Sequence, residues 1–223
     1  MEMTTRLIIG IGPGKSGSTW LFTFLRSSKQ IRTSSVKETG YFSTVEEPDL
    51  DRYLHRFFDR QMSDIIFAEV ANTYIYHPLM MTRLSNLDAE IDLIAILRDP
   101  IERAISHVRH LARNGEKFKS FEDALYHRPD ILSRGLYAQY LFQFESAPQN
   151  IRLHIFDFKE LKKNEEAFKE RFAERLGLDP VDFSVAEARR FKSARPRSRT
   201  LARFVKRSAT LARHLGFTNV IQR

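Results

Sequence analysis

Two short stretches concentrate the residue types that can hold a charged group and move it. The first runs from Leu7 to Leu25, LIIGIGPGKSGSTWLFTFL. Within it Lys15, Ser16, Gly17, Ser18 and Thr19 place one full positive charge, three hydroxyls and a glycine in consecutive positions. Hydroxyls at the start of a helix can cap its first turn or bond an anion. The N–H groups of that turn and the positive end of the helix dipole face the same point, so a lysine beside them completes an anion site. The second stretch is Ile91 to Arg113, IDLIAILRDPIERAISHVRHLAR, with Arg98 and Ser106 as its polar candidates. A guanidinium offers a planar fork of donors matched to phosphate oxygens, and a serine hydroxyl adds one more bond.

These residues need elements to aim them. Leu7–Ile11 is an apolar run suited to a strand buried on both faces. Gly12, Gly14 and Gly17 let the chain turn tightly after it, and Leu21, Phe24 and Leu25 follow at helical spacing. Ile91–Leu97 is a second buried-type strand, and Pro100 suits the first turn of the helix behind it. That helix shows an apolar stripe of Ile101, Ala104, Ile105, Val108, Leu111 and Ala112, which leaves Arg98 at the strand end and Ser106 on the polar face. The same patterns predict strands at Arg6–Ile11, Ile65–Val70, Ile91–Leu97 and Ile151–Phe156. They predict helices at Ser18–Ser28, Leu50–Phe58, Pro78–Leu87, Ile101–Arg113, Phe121–His127, Leu136–Phe144, Glu165–Leu176 and Leu201–Leu215, with an exposed loop over 114–120. Strands separated by helical stretches imply an α/β fold, a P-loop-like parallel sheet flanked by helices on both faces, with the ligand beyond the strands' carboxyl ends. The expected layout is one domain over residues 1–200 and a basic amphipathic helical tail over 201–223.

Composition narrows the class. A chain of 223 residues with 42% hydrophobic residues can bury a sizeable core. No run approaches the ~20 apolar residues of a membrane helix, and residues 1–6 lack the apolar core of a signal peptide. The absence of cysteine removes disulfides, thiolate metal sites and a cysteine nucleophile. A cytoplasmic protein is expected. The net charge of +8 is uneven: residues 189–223 hold eleven Lys/Arg and no Asp/Glu, which leaves 25 Lys/Arg against 28 Asp/Glu in the rest. The basicity belongs to the tail, so nucleic acid is not an expected partner of the body.

The loop is one residue short of the ATPase motif G-x-x-x-x-G-K-[ST]: Gly14-Lys15-Ser16 fits its end, but Ile9 stands where the first glycine belongs. The order Lys15-Ser16-Gly17-Ser18-Thr19-Trp20-Leu21 instead resembles the phosphosulfate-binding loop of sulfotransferases. The run from Arg98 to His107 resembles the element of that family that grips the 3′-phosphate of 3′-phosphoadenosine 5′-phosphosulfate (PAPS). Residues 133–141, which include Tyr137, look like the helix entry that follows it in the carbohydrate-type branch, and Phe191–Arg199, with Arg195 and Arg197, resembles the basic loop that closes over the nucleotide. The resemblance implies PAPS as sulfuryl donor, held by Lys15, Ser16, Gly17, Ser18, Thr19, Trp20, Arg98, Ser106, Tyr137, Arg195 and Arg197.

The stretch Val36-Lys37-Glu38-Thr39-Gly40-Tyr41-Phe42 is similar to the Lys-Glu-x-x-x-Phe stretch of heparan-sulfate-type sulfotransferases, which implies Glu38 as the base. Sulfuryl transfer to an alcohol needs such a base within hydrogen-bond reach of the attacking hydroxyl. Lys15 and Lys37 are the cations expected nearest the transferring group, and no metal is expected. The chain departs from that branch at Val70, where a lysine would stand, and Glu69 beside it is an alternative base. His55, His77, His107 and His110 have no evident partner in sequence. The implied acceptor is a hydroxyl compound: a sugar, glycolipid or secondary metabolite. The competing readings are a P-loop-like nucleotide kinase or ATPase, and a non-enzymatic binder of polyanions or membranes through the tail, whose Leu201, Phe204, Val205, Leu211 and Leu215 share one helical face.

Overall fold

The computed structural model describes residues 5–59 and 66–179. Arg195, Arg197 and the tail therefore lie outside the described residues. The described part divides into two compact units, one reaching to Asp99 and resuming at Leu136, the other spanning Pro100–Gly135.

The first unit is built on five parallel strands: β1 (Arg6–Gly12), β2 (Ile31–Thr33), β3 (Ile66–Val70), β4 (Glu90–Leu97) and β5 (Ile151–Asp157). Their spatial order is β2-β3-β1-β4-β5, with β1 central. Its helices are α1 (Ser18–Ser27), α2 (Tyr41–Thr44), α3 (Leu50–Phe57), α4 (Met80–Ser85), and, past the second unit, α8 (Tyr137–Leu141), α9 (Phe158–Lys163) and α10 (Glu165–Leu176). The alternation of side chains along each strand separates two cores. Leu7, Ile9, Ile11, Ile91, Leu93 and Ala95 pack against aromatic residues of α2 and α3, including Tyr41, Phe42, Tyr53 and Phe57. Ile8, Ile94, Ile96 and Phe156 face Leu21, Phe24 and Leu25 of α1 and Phe168 and Phe172 of α10. Both sheet faces are thus covered, as the near-continuous apolar strands require.

The second unit contains α5 (Pro100–Arg113), α6 (Phe121–His127) and α7 (Asp130–Ser133). Ala104, Leu111 and Ile131 form its small core, with Val108, Phe118, Phe121 and Leu125 packed against it. The expected stripe of α5 is corrected here. Ile101 is 69% exposed and Ala112 is exposed, while Arg103 is 1% exposed. The Arg103 guanidinium donates to the Ile131 carbonyl, so a charged side chain takes a position that apolar spacing assigned to its neighbours. The loop over 114–120 is present, but it is exposed only in part: Gly115 is buried and Phe118 packs on the core, while Lys117, Lys119 and Ser120 are exposed.

Three further departures concern elements. Strand β2, α2, α7 and α9 had no counterpart in the sequence patterns. The helix expected over 136–144 is α8 followed by a 3-10 turn at Phe142–Phe144. The helix expected from Pro78 to Leu87 is shorter, Met80–Ser85. No helix among the described residues is long and apolar enough to cross a membrane.

Candidate active site

The loop between β1 and α1 begins where β1 ends, at the carboxyl edge of the sheet. Gly12 has φ +108, and a β-carbon there would lie 2.5 Å from the backbone oxygen of Asn72. Only glycine fits that approach. Gly17 has φ 92 and serves as N-cap of α1 with no side chain capping it. Helix α1 therefore opens with its first N–H groups uncovered by any side-chain cap, which is the arrangement that favours an anion. Leu21 N donates to Gly17 O and closes the first turn. Ser16 is 1% exposed, and its hydroxyl is buried with no hydrogen-bond partner among the described residues. An orphaned donor at an anion-favouring helix end is the condition a phosphate oxygen would satisfy. Lys15 occupies φ 71, a left-handed conformation rare for residues with a side chain. Ser18 is half-buried and Thr19 exposed at the start of α1. Trp20 turns the other way: its indole donates to Glu165 Oε1 at 2.8 Å and stacks on Phe24 at 4.8 Å between ring centroids.

On one side of this loop lies Arg98, just past β4. Its Nη1 donates to the Lys15 carbonyl at 3.3 Å, and its guanidinium sits 5.0 Å from the ring centroid of Phe158 at the start of α9. The same ring lies 3.1 Å from where a β-carbon on Gly17 would be. Tyr137 donates its hydroxyl to the Arg98 carbonyl at 2.7 Å and so fixes the backbone that carries the arginine. Beyond it, a cavity of about 450 Å³ is lined by Leu97, Arg98, Phe156, Glu160, Arg171 and Arg175.

On the other side lies Glu38. Its N–H donates to the Val70 carbonyl at the end of β3, and its φ is 63. Lys15 and Glu38 are the non-glycine residues with positive φ among the described residues. Lys37 Nζ is 2.9 Å from Glu38 Oε1, and the Asn72 side-chain amide donates to the same oxygen. The Glu38 side chain stays 37% exposed.

Glu69, the alternative base, is 1% exposed. Thr39 donates its hydroxyl to Glu69 Oε2 at 2.5 Å and lies 3.2 Å from the Tyr74 hydroxyl. Burial pushes the Glu69 carboxyl up to about 7, against the opposing pull of the Thr39 bond. Val70, at the position of the missing lysine, is fully buried.

The structure thus gathers Lys15, Ser16, Gly17, Ser18, Thr19, Arg98, Tyr137, Lys37 and Glu38 in the first unit, at the carboxyl edge of its sheet. Ser106 belongs to α5 of the second unit, where it is half-buried. His107, also in that unit, is pushed down to about 4, by burial first and by Arg103 next. Sequence reasoning missed Asn72 and Phe158. Neither carries a motif, and each gains meaning only from what the fold sets beside it. Among the described residues no group of three or more His, Asp or Glu side chains converges as a metal site.

The model of the sulfotransferase domain family matches residues 5–199. A curated relative, the membrane-associated sulfotransferase kil1 of Dictyostelium discoideum, is 30% identical over 132 residues. That match covers 56% of this chain and 28% of the relative, so the chain spans little more than a quarter of its length. Among solved structures, a sulfotransferase from Alicyclobacillus acidocaldarius aligns over 99% of this chain and 97% of its own, with a TM-score of 0.67 and 20% identity. Mouse sulfotransferase SULT7A1 complexed with PAP aligns over 85% of this chain and 64% of its own, with a TM-score of 0.53 and 16% identity.

Proposed function

The chain belongs to the sulfotransferase family, and on that premise we propose that it moves a sulfuryl group from PAPS to a hydroxyl-bearing acceptor, with Glu38 as the base. The observation that carries this reading is the lateral order along the sheet's carboxyl edge. Glu38 stands past β2 and β3, the anion loop past β1, and Arg98 with its adjoining cavity past β4 and β5. A nucleotide with its 5′-phosphate at the loop and its 3′-phosphate toward Arg98 leaves the β2–β3 side open for an acceptor. The PAP carried by the mouse enzyme of the same fold is consistent with a donor of that kind.

PAPS supplies a sulfuryl group on a good leaving group. Each further step is the work of this chain's residues. The N–H groups opening α1 and the Lys15 ammonium would hold the donor's 5′-phosphate and stabilise the negative charge it gains as leaving group. The Ser16 hydroxyl supplies a further donor to the same phosphate. Glu38 takes the acceptor's proton as the new O–S bond forms, which yields a sulfate ester and PAP. Glu38 is favoured over Glu69 because it is partly exposed beside the loop, whereas Glu69 is enclosed by Thr39 and the aromatic core. The acceptor is proposed only by class, as a sugar, glycolipid or secondary metabolite. A peripheral membrane or polyanion contact through residues 201–223 rests on their charge and apolar spacing alone.

Release of PAP from PAPS in the presence of hydroxyl acceptors tests the reading. Glu38→Gln lowers the rate by roughly 10²–10⁴-fold and leaves PAP affinity within about threefold. An unchanged rate would remove Glu38 as the base. Magnesium-dependent turnover of ATP by the wild-type protein, with no release of PAP from PAPS, would overturn the proposed sulfuryl transfer.

A further inference from the structure

Asn72 sits two residues past the end of β3, where the donor loop and the base loop converge. Its backbone oxygen is the atom that leaves no room for a side chain at Gly12. Its own Cβ lies 3.6 Å from where a β-carbon on Gly14 would be. From that position its side-chain amide donates to Glu38 Oε1. The orientation of the amide is fixed chemically, since its carbonyl oxygen turned to a carboxylate would set two acceptors against each other. Lys37 Nζ, at 2.9 Å, uses the same Glu38 oxygen. Two donors on Oε1 leave Oε2 as the oxygen whose lone pairs are available for a proton. Asn72 Oδ1 is buried and has no partner among the described residues. Leaving a buried acceptor unpaired is unfavourable, and an asparagine kept only for packing has no reason to carry that cost.

We propose that Asn72 is a positioning residue that ties the base to the donor loop and selects Glu38 Oε2 as the proton acceptor, a proposal that rests on the reading of Glu38 as the base. Lys37 reaches the same oxygen on a long flexible stem and cannot fix its direction alone. Asn72 has a short side chain anchored between Gly14 and the carboxylate, so it sets where Oε2 points relative to the loop. A shift of the base away from the acceptor hydroxyl lowers the rate without touching the groups that hold the nucleotide.

The test compares Asn72→Asp and Asn72→Ala with the wild-type protein. Asn72→Asp keeps the size, removes the donor and sets a second carboxylate against the first. Calorimetric PAP affinity, the thermal midpoint and PAP release from PAPS are measured for each, with 4-methylphenol and 4-nitrophenol as acceptors. The expected result is a fall in kcat of roughly 10- to 100-fold in both variants, with PAP affinity within about threefold and melting retained. The fall is smaller with 4-nitrophenol, because a more acidic hydroxyl depends less on a well-placed base. Where the wild type turns over neither phenol, release of PAP to water is compared instead, and a fall of the same size is expected. An unchanged kcat, an equal fall with both phenols, or a loss of PAP affinity parallel to kcat overturns the proposal. Glu38→Gln measured alongside separates the two claims. Full activity in that variant removes the base itself, whereas its inactivity together with an active Asn72→Ala removes only the positioning role.

Discussion

Lys15 and Glu38 share a left-handed backbone conformation, φ 71 and 63, that residues with side chains avoid. Such a conformation costs on the order of 1–3 kcal/mol and persists where the surroundings enforce it. Here the enforcing contacts are known: Arg98 holds the Lys15 carbonyl, and Val70 and Asn72 hold Glu38. Lys15→Gly separates strain from chemistry. Glycine relieves the conformation, so the variant melts no lower than the wild type, while losing the ammonium reduces kcat by roughly 10²–10³-fold. Paired melting curves and PAP-release rates check this, and a lower midpoint would show that the lysine is retained for stability. Lys15, Ser16 and Arg98 were legible in the sequence because a charge or hydroxyl followed a glycine turn or a strand end, whereas Glu38 was legible only through the resemblance of residues 36–42 to a family stretch. Asn72 was not, because its role depends on a backbone contact with Gly12 and a carboxylate 34 residues away.

At the scale of elements, the long apolar runs that form β1 and β4 were readable because a central parallel strand must be apolar on both faces. The short edge strand β2 was not, since three residues carry no period. The α5 stripe failed for another reason: spacing rewards Ile101 and ignores Arg103, whose buried guanidinium donates through Nη2 to a carbonyl of α7. Buried groups on these elements also set the pH dependence of stability. Glu69 on β3 rises from 4.5 to about 7 on folding, so the folded chain binds the extra proton and stability falls as pH rises from 4.5 to 7. His107 on α5 falls from 6.5 to about 4, so the unfolded chain binds the extra proton and stability falls as pH drops from 6.5 to 4. The two slopes oppose each other. Glu69→Gln leaves a thermal midpoint that climbs with pH across this window, and His107→Gln leaves one that declines. Midpoints measured from pH 4 to 7.5 decide the matter, and identical profiles for the two variants would contradict the assignment.

In the first unit, a buried ion cluster and the candidate site lie toward opposite ends of one sheet. At the amino end, Asp92 of β4 is fully buried among Arg6, Arg152 and His154. Burial alone would raise its carboxyl, but the bonds from His154, Arg152 and Arg6 outweigh it and hold the group well below the usual carboxylate range. That end is a structural clamp, with Arg6 also donating to the Leu176 carbonyl of α10. At the carboxyl end stand the loop, Arg98 and Glu38, with Arg98 bonded to the Lys15 carbonyl and Glu38 held by Lys37 and Asn72. The fold class was legible because alternating strand and helix patterns admit few parallel arrangements. The division into two units was not, since nothing in the composition changes at Pro100 or Gly135.

The central claim is that this edge holds a nucleotide bearing a 3′-phosphate, read by Arg98. Calorimetric binding of PAP without metal, set beside 5′-AMP and repeated on Arg98→Ala, tests it most directly. The account expects PAP to bind at least 10-fold more tightly than 5′-AMP in the wild type, with most of that preference lost in the variant, a loss of about 1.4 kcal/mol or more. Equal affinity for the two nucleotides, or a preference that survives Arg98→Ala, would contradict it.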